Sequence, residues 1–149
     1  MFVDFKLVEK IISLKEYGEA DETTKAKTRK GQAKYRQKLL DECPACPITK
    51  VADDRLLIAS HIKPYAHSDS DEKYDPKNGF MFTPTYDWLF DKGFISFTDD
   101  KKMMVSIWIS PMNCSRLQIN EGKSVPLLPV SGRESYLAYH RDNIFKTMG

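Results

Sequence analysis

The chain has 149 residues, 41% hydrophobic, 30% charged and 11% aromatic, with a net charge of +2. That length supports one domain with a single core, and no apolar run approaches the ~20 residues of a membrane-spanning helix. Three cysteines, an odd number, speak against a disulfide framework and for a reducing compartment.

In chain order, Leu7, Val8, Ile11, Ile12 and Leu14 recur at helical spacing, which predicts a helix over 4–16 closed by Gly18. Acidic residues among these apolar ones, and the lack of a small-residue cleavage site, argue against a signal peptide, so a cytoplasmic protein is expected. The polar stretch GEADETTKAKTRK reads as a linker or loosely held arm. A second helix is expected over 31–42, with Tyr35, Leu39 and Leu40 inward, stopped by the prolines of CPACP. Seven basic residues and no acidic one lie between Lys25 and Lys38. Such a run is a solvated face or a phosphate-binding surface.

Residues 55–62 read as a strand, followed by the polar loop AHSDSDEKYDPKNG and a second strand, GFMF. Thr83 and Pro84 supply an N-cap and a first helical residue for PTYDWLFDK, which Gly93 ends. FISF, the turn TDDKK and MMVSIWI suggest a hairpin. Ser131 and Glu134 suggest a capping box opening a last helix, ESYLAYHRDNIFK. The expected class is α+β, and there are no repeats or low-complexity segments.

Chemistry concentrates in the strand–loop–strand–helix unit. His61 ends the first strand, Asn78 opens the second, and Asp87 and Asp91 share one helical face at a spacing of four. A neutral imidazole with a pair of carboxylates suits hydrolysis assisted by one hard divalent cation. Carboxylate oxygens fit Mg²⁺ or Mn²⁺, and an imidazole takes a proton from water near neutral pH.

The stretch IASHIKPY…DPKNGFMFTPTYDWLFDKGFISF resembles the HNH nuclease motif, and most closely that of the restriction-type branch. The similarity extends upstream to RKGQAKYRQKLL…CPIT and downstream to YLAYHR. It implies a ββα-metal core with flanking helices and an added hairpin, divided as a helix and linker over 1–27 and a nuclease domain over 28–149. It implies a metal-dependent endonuclease of double-stranded DNA, of restriction or defence type, using Mg²⁺ or Mn²⁺. His61 would be the general base, Asn78 would tie down the loop and orient it, and Asp87 would hold the metal where the family's final histidine stands. Asp91 matches a second ligand position.

Ser60 departs from the pattern. Many members carry aspartate or histidine before the base as a ligand, so here Asp91 or water fills that place, or the metal is held weakly. The basic run, represented by Arg29, Lys34 and Arg36, would contact the DNA backbone, with Lys63 and Arg141 as further phosphate contacts. His140 fits either a phosphate contact or the core, and His67 reads as solvated. Cys43-x-x-Cys46 lacks a second pair, so structural zinc is not expected. Two alternatives differ in class: a DNA-binding module with an inactive HNH core, and a small zinc-stapled interaction domain. A homodimer, or association with a larger restriction or targeting protein, is compatible with so short a nuclease.

Overall fold

The computed structural model describes residues 22–147; the helix expected over 4–16 lies outside them. Among the described residues there are four α-helices and two small antiparallel sheets, an α+β arrangement. Helix α1 (Glu22–Glu42) leads into a hairpin of β1 (Ile58–His61) and β2 (Gly79–Phe82), which helix α2 (Pro84–Asp91) closes. A second hairpin, β3 (Ile95–Phe97) and β4 (Met103–Val105), is followed by α3 (Pro111–Leu117) and α4 (Glu134–Asn143).

The first hairpin carries the site. Its register pairs Ser60 with Phe80 and His61 with Gly79. Neighbouring strand residues face opposite sides, and both sides of this hairpin are covered. Tyr35 and Leu39 of α1, one helical turn apart, are buried on the His61–Gly79 side. The Asp87 turn of α2 lies on the Ser60 side. β2 is buried throughout, as a strand covered on both faces should be. Phe80, Phe82, Phe90 and Phe97 fill the core, with ring centroids 5.4–6.2 Å apart.

Two glycines permit this packing. A side chain at Gly79 would run into the Tyr35 hydroxyl and Leu39. Gly93 ends α2 with φ +77 and lies against the Ile144 carbonyl, so both its torsion and its contact favour glycine.

Several elements depart from the sequence-based expectation. The stretch expected as a linker is helical from Glu22, because a packed helix extends cheaply through residues of good propensity such as Lys, Arg and Ala. β1 is shorter than expected: Asp53 accepts from the Arg55 amide at 3.0 Å and turns 54–56 into a 3-10 segment. β4 stops at Val105. Helix α3 was not anticipated, although Ser110-Pro111 repeats the cap-then-proline signature of Thr83-Pro84. The capping box does not form. Glu134 reaches back to the Gly132 amide at 2.7 Å and the helix starts after Arg133. Arg133 is buried, donating to the carbonyls of Gly79 and Pro76 and pairing with Glu42, which sets where α4 begins.

Candidate active site

His61 closes β1 with its imidazole enclosed on three sides. One face stacks on Tyr35 with centroids 4.4 Å apart and planes 13° from parallel. Tyr65 meets it edge-on at 5.7 Å. Nε2 lies 2.8 Å from the Lys73 carbonyl. A carbonyl only accepts, so Nε2 carries the proton and Nδ1 is left as the acceptor. Burial pushes the imidazole pKa below its ordinary value, a shift that the Lys73 bond partly offsets. At neutral pH the ring is an uncharged base.

Asn78 is fully buried at the entry to β2. Its Oδ1 accepts from the Lys63 amide at 2.8 Å, and its Nδ2 donates to the carbonyls of Glu72 at 3.0 Å and Lys63 at 3.2 Å and to the Ser68 hydroxyl at 3.3 Å. One side chain thus binds both ends of the 63–72 loop. That loop, read from sequence as merely polar, is tightly organised. Two 3-10 turns (Tyr65–His67 and Glu72–Tyr74) shape it, and Asp69 accepts from the amides of Asp71 and Glu72. The Lys73 carbonyl that holds His61 follows directly.

On the opposite side of β1, Ser60 is buried and its hydroxyl bonds to the carboxyl of Asp87. Burial pushes the Asp87 carboxyl up to about 7; the Ser60 bond opposes that shift and the charge of Asp91 adds to it. Asp91, one turn along α2, is more open as a residue, yet desolvation of its carboxyl end also raises it, with Lys92 opposing. Among the described residues neither carboxylate forms an ion pair. The imidazole and the Asp87 carboxyl lie on opposite sides of β1 rather than face to face. They flank the end of one strand.

No cluster of three or more His, Cys, Asp or Glu able to hold a metal ion occurs among the described residues. Two carboxylates are nonetheless a donor set that suits a hard cation: Mg²⁺ keeps several waters and is commonly held by one or two carboxylates together with substrate phosphate. The raised pKa values of this pair have the same leading cause, desolvation of the carboxyl groups.

The other expected residues differ in availability. Arg29 and Lys34 are exposed on α1 and make no hydrogen bond or ion pair among the described residues. Arg36 is committed to the carbonyls of Leu57 at 3.0 Å and Asp54 at 2.7 Å. Lys63 pairs with Glu72 at 2.9 Å and lies over the Tyr139 ring. Arg141 donates to the Phe97 carbonyl and to Asp99.

His140, left open between two readings, belongs to the core. It stacks on Phe90 and bonds to Ser96 and the Phe90 carbonyl, and burial pushes its pKa to about 4. His67 is exposed, with Nδ1 2.8 Å from the Tyr139 hydroxyl. Cys43 and Cys46 are buried thiols; Cys46 accepts from the Thr49 amide and lies 3.8 Å from the Thr83 hydroxyl. Tyr35, Tyr65 and the Lys73 carbonyl complete the surroundings of His61, and sequence reasoning assigned none of them to the site. Tyr35 was visible only as an inward residue of its helix, and a backbone carbonyl leaves no sequence signal.

Residues 46–98, from the turn before β1 through β3, match the family model described as HNH endonuclease. That match supports assigning the ββα unit to the HNH endonuclease family, whose members generally hydrolyse DNA and generally depend on a divalent metal. A search of curated proteins found no match to the chain. No helix among the described residues is long and apolar enough to cross a membrane.

Proposed function

We propose that the protein is a metal-dependent endonuclease of double-stranded DNA, of restriction or defence type, with 28–149 as the nuclease unit. The observation that carries this reading is the neutral His61, whose Nε2 is held by the Lys73 carbonyl so that Nδ1 is the acceptor, on the strand whose other side carries the buried Asp87 carboxyl, with Asp91 one turn further along α2. The scissile phosphate would lie across the end of β1, reached by His61 from one side and by the α2 carboxylates from the other. His61 Nδ1 would accept a proton from the attacking water as its oxygen bonds to phosphorus and the P–O3′ bond breaks; the departing 3′ oxygen would take a proton from solvent, leaving a 5′-phosphate and a 3′-hydroxyl. Asn78 would keep the 63–72 loop, and so the Lys73 carbonyl, in place. Asp87 and Asp91 would hold Mg²⁺ or Mn²⁺, with Ser60 orienting Asp87. A bound divalent cation supplies charge stabilisation for the phosphate oxygens and the departing oxygen. Arg29 and Lys34 would contact the backbone without reading sequence, and Lys63 or Arg141 would do so only by leaving their present partners.

The test is digestion of supercoiled plasmid with Mg²⁺ or Mn²⁺, with His61→Ala alongside. The reading expects nicking or linearisation by the wild type, and a loss of at least ~10²-fold in the variant, the usual scale for a general base. DNA binding without cleavage in either metal would point instead to an inactive HNH core.

A further inference from the structure

The buried hydroxyl of Tyr35 has no task in a purely apolar core, where phenylalanine would pack as well. Burial pushes its pKa far above the ordinary range, so it stays protonated and is a donor. It donates to the backbone carbonyl of Asn78 at 2.6 Å. The same ring lies flat against the imidazole of His61. Tyr35 therefore joins the last residue of β1 to the residue just before β2, and Gly79 leaves the space for it.

We propose that Tyr35 is a positioning residue for the His61 imidazole, acting through its stacked ring and through its hydroxyl bond to Asn78. The inference rests on the nuclease reading for its catalytic consequence. Rotation of the imidazole about its Cβ–Cγ bond would exchange Nδ1 for a carbon and turn Nε2 away from the Lys73 carbonyl. The Tyr35 ring restricts the plane of the imidazole, and the Lys73 carbonyl selects one of the two orientations within that plane. Misplacing a reacting group by about 1 Å can cost ~10²-fold, so the ring contact should carry the larger share of the effect.

The experiment measures plasmid cleavage with Mg²⁺ for the wild type, Tyr35→Phe, Tyr35→Leu, His61→Ala and the double variant His61→Ala/Tyr35→Leu. Thermal melts accompany each, and side-chain NMR follows the His61 ring. Tyr35→Phe keeps the stack and should lose roughly 3-fold in kcat; Tyr35→Leu should lose roughly 30-fold, with KM and metal affinity unchanged. In the His61→Ala background, Tyr35→Leu should cost nothing further, because residues that act as a unit are not additive. An equal loss in both backgrounds, or a rise in KM alone, would overturn the proposal. Should Tyr35→Leu fail to fold, Tyr35→Phe in the two backgrounds makes the same comparison. If the wild type does not cut, the nuclease reading falls, and the NMR arm still decides the positioning. A His61 ring in Tyr35→Leu with the tautomer and single environment of the wild type would overturn it.

Discussion

Ser60 and His61 are neighbours on β1 that look in opposite directions: Ser60 bonds to Asp87 on α2, while His61 stacks on Tyr35 of α1. The alternation of a strand thus divides two kinds of chemistry between two helices. The carboxylate side is acidic, with Asp87 buried; the imidazole side is aromatic.

The acidic side predicts a trade between stability and activity. With a folded pKa raised to about 7, Asp87 favours the folded state most when protonated. That contribution is complete below the ordinary carboxylate pKa and is lost as pH rises through about 7. Asp87→Asn should therefore melt above the wild type at pH 8 in metal-free buffer, by up to roughly 4 kcal/mol. The difference should shrink toward pH 5, where the wild-type carboxyl is also neutral. The same variant should not cleave DNA. Melts over a pH series check the first statement and plasmid digestion the second; a pH-independent difference would count against it.

Cleavage should depend on pH through Asp87 more than through His61. Burial holds the imidazole pKa below its usual value, so His61 is mostly uncharged near the pH of about 7 at which Asp87 titrates. At limiting Mg²⁺ the rate should rise with pH about a midpoint near 7, as cation and proton compete for the same carboxylate. Raising Mg²⁺ should move that midpoint down. A midpoint that ignores metal concentration would assign the titration elsewhere.

Ser60 tunes that carboxylate. Its bond lowers the Asp87 pKa, so Ser60→Ala should move the pH midpoint of cleavage upward and weaken metal binding at pH 7. Ser60→Asp would place another carboxylate in a buried position, and should destabilise the metal-free protein while tightening metal binding. Titration calorimetry with Mn²⁺ on both variants reads the outcome.

Asn78→Ala should cost about 3 kcal/mol or more in denaturant unfolding, because it strips partners from the Lys63 amide and the Glu72 carbonyl in a buried place. Asp87→Ala offers the contrast: it should abolish cleavage without loosening this loop. Faster hydrogen exchange of the Lys63 amide in Asn78→Ala alone is the expected signature.

The basic helix separates into two groups. Arg29→Gln with Lys34→Gln should flatten the dependence of log affinity on log salt by about two units, at about 0.9 per phosphate contact. Arg36→Gln should leave the slope unchanged and lower the melting temperature, because its guanidinium braces the Asp54 and Leu57 carbonyls. Anisotropy on unrelated duplexes in a His61→Ala background measures the slopes, and equal flattening by Arg36→Gln would contradict this division.

By itself the sequence determined the elements that local chemistry dictates. The second strand, the Thr83-Pro84 helix start, the Gly93 stop and the second hairpin follow from residue preferences, and the HNH resemblance came from short-range spacing that the family match over 46–98 supports. A spacing of four also sufficed to put Asp87 and Asp91 on one helical face. Only the tertiary structure decided what depends on long-range partners. That His140 is core, that Arg36 is bound to carbonyls and that Tyr35 lies on His61 are facts of packing between elements far apart in the chain. The start of α4 was likewise set by Arg133 reaching Gly79 and Glu42, against a local capping signal. Desolvation, which raises Asp87 and lowers His61, is a property of the folded surroundings and is written in neither residue.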